Sequence, residues 1–255
     1  MANQFSINLP VTDGGSVTFT AGVAVYTPPA PTPPPVLPIS TAIIWTPALE
    51  QNASAWKVEH DAGTPGTSSA NPPIPFVSGA QFPFSFTGNG GTRWSCTAAT
   101  DLTARHFIYD TWFWCDHPEL LGELELDINW VDAKGNVTIM GIQWSPSNKR
   151  WMWTTIPDKI NARWNDSNVA AALSDFPALT WNHIRLASQH DGAGNVTYGG
   201  VEVNGVYRPF AASCAGPSVF AGGWTPGVII PNAQLDGIGS GSLNACFSGL
   251  RIGRY

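Results

Sequence analysis

Three observations predict an all-β chain, an antiparallel sandwich or barrel. Segments that alternate apolar and polar residues recur at short spacing along most of the 255 residues. The joints between them are rich in Asn, Asp, Gly and Pro, with Gly 26 and Pro 22 in all, residues that turn a chain or break a helix. A single segment, "NVAAALSDF" at 168–176, reads as helical, and then only for about two turns. Many adjacent strands with almost no helix bury their apolar faces sheet against sheet.

In chain order, residues 1–27 hold two short alternating segments, "FSINL" and "SVTFTAGVAVYT". Next comes "PPAPTPPPVLP", residues 28–38, in which seven of eleven are Pro. Such a run forms a stiff polyproline II spacer of roughly 34 Å at ~3.1 Å per residue and cannot enter a sheet interior. The expected organisation is an N-terminal docking or assembly arm over 1–27, a Pro-rich linker over 28–38, and one β domain over 39–255. A lone pair of short strands is marginal in water, so the arm should grip a partner protein or copies of itself.

Beyond the linker, strands are expected near 54–59, 81–87, 92–99, 105–115, 121–131, 136–145, 150–155, 181–189, 195–203, 206–210, 227–236 and 244–254. Asn204-Gly205 between two of them is a two-residue hairpin signal.

Composition narrows the partners. The net charge is −6, pI is near 5.2, and only 12% of residues are charged, which argues against nucleic acid. No apolar run approaches the ~20 residues that span a bilayer. The opening "MANQFSINLPVTDGG" has neither a basic stretch nor an apolar core of a signal peptide; the location stays open, with the cell exterior and a particle surface as candidates. Cys96, Cys115, Cys214 and Cys246 show no metal-ligand spacing and read as small hydrophobes, with one or two disulfides as the alternative. The five histidines form no HxH or HExxH pattern, and no nucleophile elbow, Walker loop or dinucleotide fingerprint is present.

One strand carries unusual chemistry. In "GELELDINW", residues 122–130, Glu123, Glu125, Asp127 and Asn129 alternate with Leu124, Leu126, Ile128 and Trp130. Period two places three carboxyls and an amide on one face and the apolar set on the other. Like charges so placed repel, and strands disfavour Asp and Asn.

The stretch "TWNHIRLASQHDGAGNVTYGGVEVNGV", with "WKVEHDAGTPG", "HFIYDTWFW" and "GELELDINW", resembles the concanavalin A-like lectin and glucanase superfamily. The likeness covers roughly residues 50–255 and is nearest to bacterial members of no assigned activity. It implies a jelly-roll sandwich of one convex and one concave sheet, a fold that hosts lectins, hydrolases, lyases and structural modules alike. Retaining glucanases of the superfamily carry E-x-D-x-E on a concave strand. The resemblance therefore makes Glu125 the nucleophile and Asp127 its support, but places Asn129 where the acid/base Glu belongs. An amide cannot protonate a leaving sugar oxygen. The register from Glu123 restores a last carboxyl, shortened by one methylene. Were the chain an enzyme, its acids would be Glu123, Glu125 and Asp127; a lyase would instead draw on Arg105, His106 or Tyr109.

Sugars stack their C–H faces on indoles and bond hydroxyls to carboxylates and amides. The expected ligand site is therefore Trp112, Trp114 and Trp144 with Asp110, Glu123, Glu125, Asp127 and Asn129, while half or more of the twelve Trp fill the core. No metal ligands are expected on the flat strand. Structural calcium, common in the superfamily, would use the loops of Asp61 or Asp191, which read first as turn formers. The leading reading is a non-catalytic carbohydrate-binding, lectin-like module displayed through the arm, with no cofactor required. A glycan-cleaving enzyme and a structural or decoration protein of a particle or filament are the alternatives.

Overall fold

A computed structural model describes residues 8–10, 16–20 and 23–27 as backbone, and 43–60 and 79–255 with side chains. The expected Pro-rich linker and Asp61 lie outside the described residues. The chain divides into two compact units, Met1–Thr41 and Ala42–Tyr255. In the first, β1 (Asn8–Pro10), β2 (Ser16–Thr20) and β3 (Val23–Thr27) form a three-stranded sheet in that order, antiparallel throughout.

The second unit is an antiparallel jelly-roll sandwich. It opens with β4 (Ile44–Trp45), β5 (Lys57–His60), β6 (Ala80–Phe86), β7 (Gly91–Ser95), β8 (Ala99–Thr100) and β9 (His106–Cys115). It continues with β10 (Leu121–Val131), β11 (Val137–Ser145), β12 (Arg150–Thr155), β13 (Arg163–Ala170), β14 (Asn182–His190) and β15 (Asn195–Val203). It closes with β16 (Val206–Pro209), β17 (Ala215–Pro217), β18 (Val219–Phe220), β19 (Val228–Gly237) and β20 (Gly241–Arg254).

A nine-stranded sheet runs β13-β12-β11-β10-β19-β7-β5, with β18 on β11 and β8 on β19. An eight-stranded sheet runs β16-β15-β14-β9-β20-β4, with β17 on β15 and β6 on β20. The chain changes sheet repeatedly. In particular β9 and β10, separated by the single 3-10 turn Pro118–Leu120, belong to opposite sheets.

The core lies between the sheets and follows the alternation of each strand. From β10, Leu124, Leu126, Ile128 and Trp130 point inward and are buried. Six of the twelve Trp (56, 94, 130, 144, 151 and 153) are buried with them. Phe176 locks the two layers together. Its ring meets Phe113 of the eight-stranded sheet edge-on at 5.5 Å and Trp144 of the nine-stranded sheet at 4.8 Å. Such edge-to-face pairs are worth roughly 0.5–1.5 kcal/mol beyond their buried area.

Two local readings are corrected. The helix expected at 168–176 is the end of β13 followed by one 3-10 turn, Leu173–Asp175. Asp175 decides this: its Oδ2 accepts the Ala172 N–H at 3.0 Å, and its Oδ1 accepts from Arg208 Nη2 at 2.7 Å. The turn is thereby tied to β16, and Phe176 turns into the core. β13 itself was missed because "RWNDSNVA" carries Asn, Asp and Ser, which read as loop. It is an edge strand, where charges and turn formers are tolerated because one side of the ladder stays unpaired.

Candidate functional site

The alternation of β10 sends Glu123, Glu125, Asp127 and Asn129 to the face of the nine-stranded sheet turned away from the core. Pairing then brings particular neighbours alongside. Glu125 stands opposite Gln143 of β11 and Gln234 of β19, and Gln234 stands opposite Arg93 of β7, which is paired with Glu59 of β5. A polar row thus crosses five strands. Beside it, Asp127 lies between Gly141 and Asn232, and Asn232 Nδ2 donates to Asp127 Oδ2 at 3.5 Å. Glu123 accepts from Ser145 Oγ at 3.4 Å and lies opposite Asp236.

Glycine makes this packing feasible. A Cβ at Gly141 would collide with Asp127 Oδ1 and lie 3.2 Å from the tip of the Trp164 indole. Asp127 and the half-buried Trp164 therefore share the space over one bare Cα. Gly91 is used the same way, since a Cβ there would strike the Asp236 carboxylate.

The electrostatics follow from crowding. Burial and then the charge of Asp127 hold Glu125 well above the usual carboxylate range, and burial also raises Asp127 and Glu123. The Glu125–Asp127 pair consequently keeps a proton where isolated carboxyls would have lost theirs. A neutral Glu125 donates a hydrogen bond, and the ionised partner accepts one. Asp127 Oδ1 and Asn129 Oδ1 are buried without a hydrogen-bond donor among the described residues.

The expected aromatic partners are elsewhere. Trp144 is fully buried, because it faces Leu124 on the inner side of the sheet. Trp112, Trp114 and Asp110 belong to β9, so they lie on the outer face of the other sheet and cannot join the acid row. Asp110 is committed there, with oxygens 2.8 Å from His183 Nε2, 3.1 Å from Arg185 Nη2 and 3.4 Å from Arg251 Nη2. Trp112 is the exposed member of that face and packs against His183 at 5.0 Å. Tyr109 points into the core, and burial drives its phenol far up, which removes it as a lyase catalyst. His106 stacks on Tyr255 at 4.6 Å.

Sequence reasoning did not single out Arg93, Gln143, Asn232, Gln234 or Trp164. For Arg93, Gln143, Asn232 and Gln234 the signal available was alternation with buried neighbours such as Trp94, Ile142, Trp144, Ala233 and Leu235; Trp164, in a polar edge strand, carried no such signal. Their meeting depends on strand order.

All four cysteines are buried as free thiols, and burial pushes Cys96, Cys115 and Cys246 up to about 12. Cys115 faces the core, whereas Cys246 alternates with the core residues Ala245 and Phe247, so these two neighbours on paired strands point to opposite faces. Asp191 forms a turn: Oδ1 accepts from Ala193 N at 2.7 Å and Asn195 N at 3.0 Å. Among the described residues no group of three or more His, Cys, Asp or Glu is placed to hold a metal ion, and no helix there is long and apolar enough to cross a membrane.

Neither a protein-family model nor a curated protein matches the chain. Among solved structures, it is similar to the β-glucanase of Bacillus licheniformis at 11% identity and TM-score 0.41, over 84% of this chain and 98% of that one. It is also similar to a carbohydrate-binding module of the β-sandwich superfamily at 8% identity and TM-score 0.41, over 97% of this chain and 74% of that one. A third likeness is to TmCBM61, solved with β-1,4-galactotriose, at 11% identity and TM-score 0.36, over 80% of this chain and 92% of that one.

Proposed function

We propose that the outer face of the nine-stranded sheet binds a glycan without cleaving it. The observation that supports this reading is the row Arg93–Gln234–Glu125–Gln143, flanked by Asp127, Asn232 and Trp164. Carboxyls and amides in register offer paired donors and acceptors to sugar hydroxyls, and an indole beside them supplies a stacking surface. Acids outnumber the one cation, which is engaged by Glu59, so the preferred glycan is uncharged. The sandwich is presented on a larger assembly by the arm at 1–27.

Calorimetric titration against neutral β-glucan, xylan and galactan oligosaccharides tests the reading, with saturable binding of at least one expected. Gly141→Ala displaces Asp127 and Trp164 together and should weaken binding roughly tenfold, about 1.4 kcal/mol. Absence of binding across these oligosaccharides, or unchanged affinity in Gly141→Ala, would remove the site from this face.

Glycan cleavage is the second reading, favoured by one feature: burial and the neighbouring Asp127 raise Glu125 well above the usual carboxylate range, the direction a general acid needs. Release of reducing ends that disappears in Glu125→Gln would make the site an enzyme's.

A further inference from the structure

Away from the acid row, one end of the sandwich contains a cavity of about 590 Å³, within the range that holds small ligands. Three cations line it (Arg105, Lys134 and Lys159) against one carboxylate, Asp132, in a chain whose net charge is −6. Asp132 Oδ1 accepts from Lys134 N at 2.7 Å and Asn136 N at 2.9 Å, and Oδ2 accepts from Asn136 Nδ2 at 2.8 Å. Its oxygens are thus engaged by its own turn, and the lining still holds more cations than carboxylates.

Arg105 is fixed in place. Its Nη1 donates to Leu102 O at 3.0 Å and Ala104 O at 2.8 Å, and its guanidinium lies 5.1 Å over the Trp130 ring. Nε and Nη2 pass over Gly192, where a Cβ would come within 3.0 Å of Nε. His190 backs Trp130 at 4.2 Å and is neutral, its Nδ1 accepting from Gly192 N and its Nε2 donating to Ala104 O, each at 3.1 Å.

Two turns of one design frame the cavity: "DAKGN" at 132–136 and "DGAGN" at 191–195. In each, the Asn Nδ2 is consumed by the Asp. Oδ1 of Asn136 and of Asn195 remains as an acceptor for a hydroxyl. Trp224, whose indole is exposed, is tied to the first turn by its backbone N–H, which donates to Gly135 O at 3.1 Å.

We infer that this cavity is a binding site for an anionic monosaccharide unit, a sugar ring carrying a carboxylate, sulfate or phosphate. The acid group pairs with Arg105, Lys134 and Lys159, and ring hydroxyls donate to Asn136 and Asn195. The site is separate from the acid row and stands whether or not that face binds a glycan.

The test titrates the full chain with glucuronate, glucose 6-sulfate, glucose 6-phosphate, glucose and inorganic sulfate, at low and at physiological ionic strength. At least one acidic sugar is expected to bind, more weakly as salt rises, with glucose silent and inorganic sulfate weaker than the sugar. The three acidic sugars identify which anion the site takes. Lys134→Gln with Lys159→Gln, both exposed, should weaken that binding roughly tenfold and leave the melting temperature unchanged. No acidic sugar binding, equal binding of glucose or of sulfate alone, or an unaffected double variant would each overturn the proposal.

Discussion

Burial acts in opposite directions on the stability contributed by Glu125 and by His190. Glu125 is raised well above 4.5, so folding favours its neutral form. Its contribution is fully present below the unfolded value and is lost as pH rises through the folded one. Glu125→Gln, neutral at every pH, should therefore stabilise the protein at neutral pH by on the order of 1 kcal/mol and flatten the loss of stability above about pH 5. His190 is pushed from 6.5 down to about 4, by burial first and then by the Arg105 charge. Its neutral form is favoured, so stability is retained above pH 6.5 and falls as pH drops towards 4. The full penalty is roughly 3 kcal/mol. Urea unfolding across pH 4–8 should show this acid limb in the parent and a shallower one in His190→Asn. A parent profile that is flat between pH 4 and 6.5 would exclude the neutral, buried imidazole.

Among the elements, β20 depends on a residue distant in sequence. Its ladder with β9 slips between Ser248 and Arg251, and Gly249 sits at φ 60°. Glu50, buried in the 3-10 turn Leu49–Gln51, spans the slip: Oε1 accepts from Gly249 N and Oε2 from Leu250 N, each at 2.9 Å. A carboxylate with two N–H donors is a strong acceptor, and its loss leaves buried donors unsatisfied. Glu50→Ala should cost on the order of 3 kcal/mol in denaturant unfolding, and a loss under ~1 kcal/mol would show that water replaces it. Nothing in "ALEQN" announces this role. The hairpin at Asn204-Gly205 was legible, by contrast, because both residues take positive φ, 50° and 79°, as the two-residue turn between Val203 and Val206 requires.

At the scale of the whole molecule, the second unit has a core of its own, built among the described residues from Trp56 to Ile252. Deleting residues 1–38 should leave a soluble monomer that unfolds in one cooperative step, while any assembly seen by light scattering disappears. An aggregated or uncooperative truncation would make the arm part of the sandwich. Within the first unit the described strands pair with one another. The sandwich explains the Trp content only partly. Six rings fill the interlayer, and Trp112 and Trp224 remain exposed on separate surfaces.

By itself the sequence determined the all-β class, most strand positions, and the two faces of β10, because period two is local: Leu124 and Glu125 point oppositely wherever the strand lies. It also fixed the hairpin at 204–205. Only the tertiary structure decided which faces meet. The alternation in β9 groups Asp110, Trp112 and Trp114, and that in β10 groups Glu123, Glu125, Asp127 and Asn129, but neither says to which sheet the strand belongs. The turn at Pro118–Leu120 carries the chain from one sheet to the other and separates the two groups by the thickness of the core. The partners of the acid row come instead from β7, β11, β13 and β19, with Asn232 lying 105 residues from Asp127 in sequence. Trp144 falls inside because its pairing with Leu124 puts both on the same side of the sheet, and hydrophobic burial assigns that side to the core.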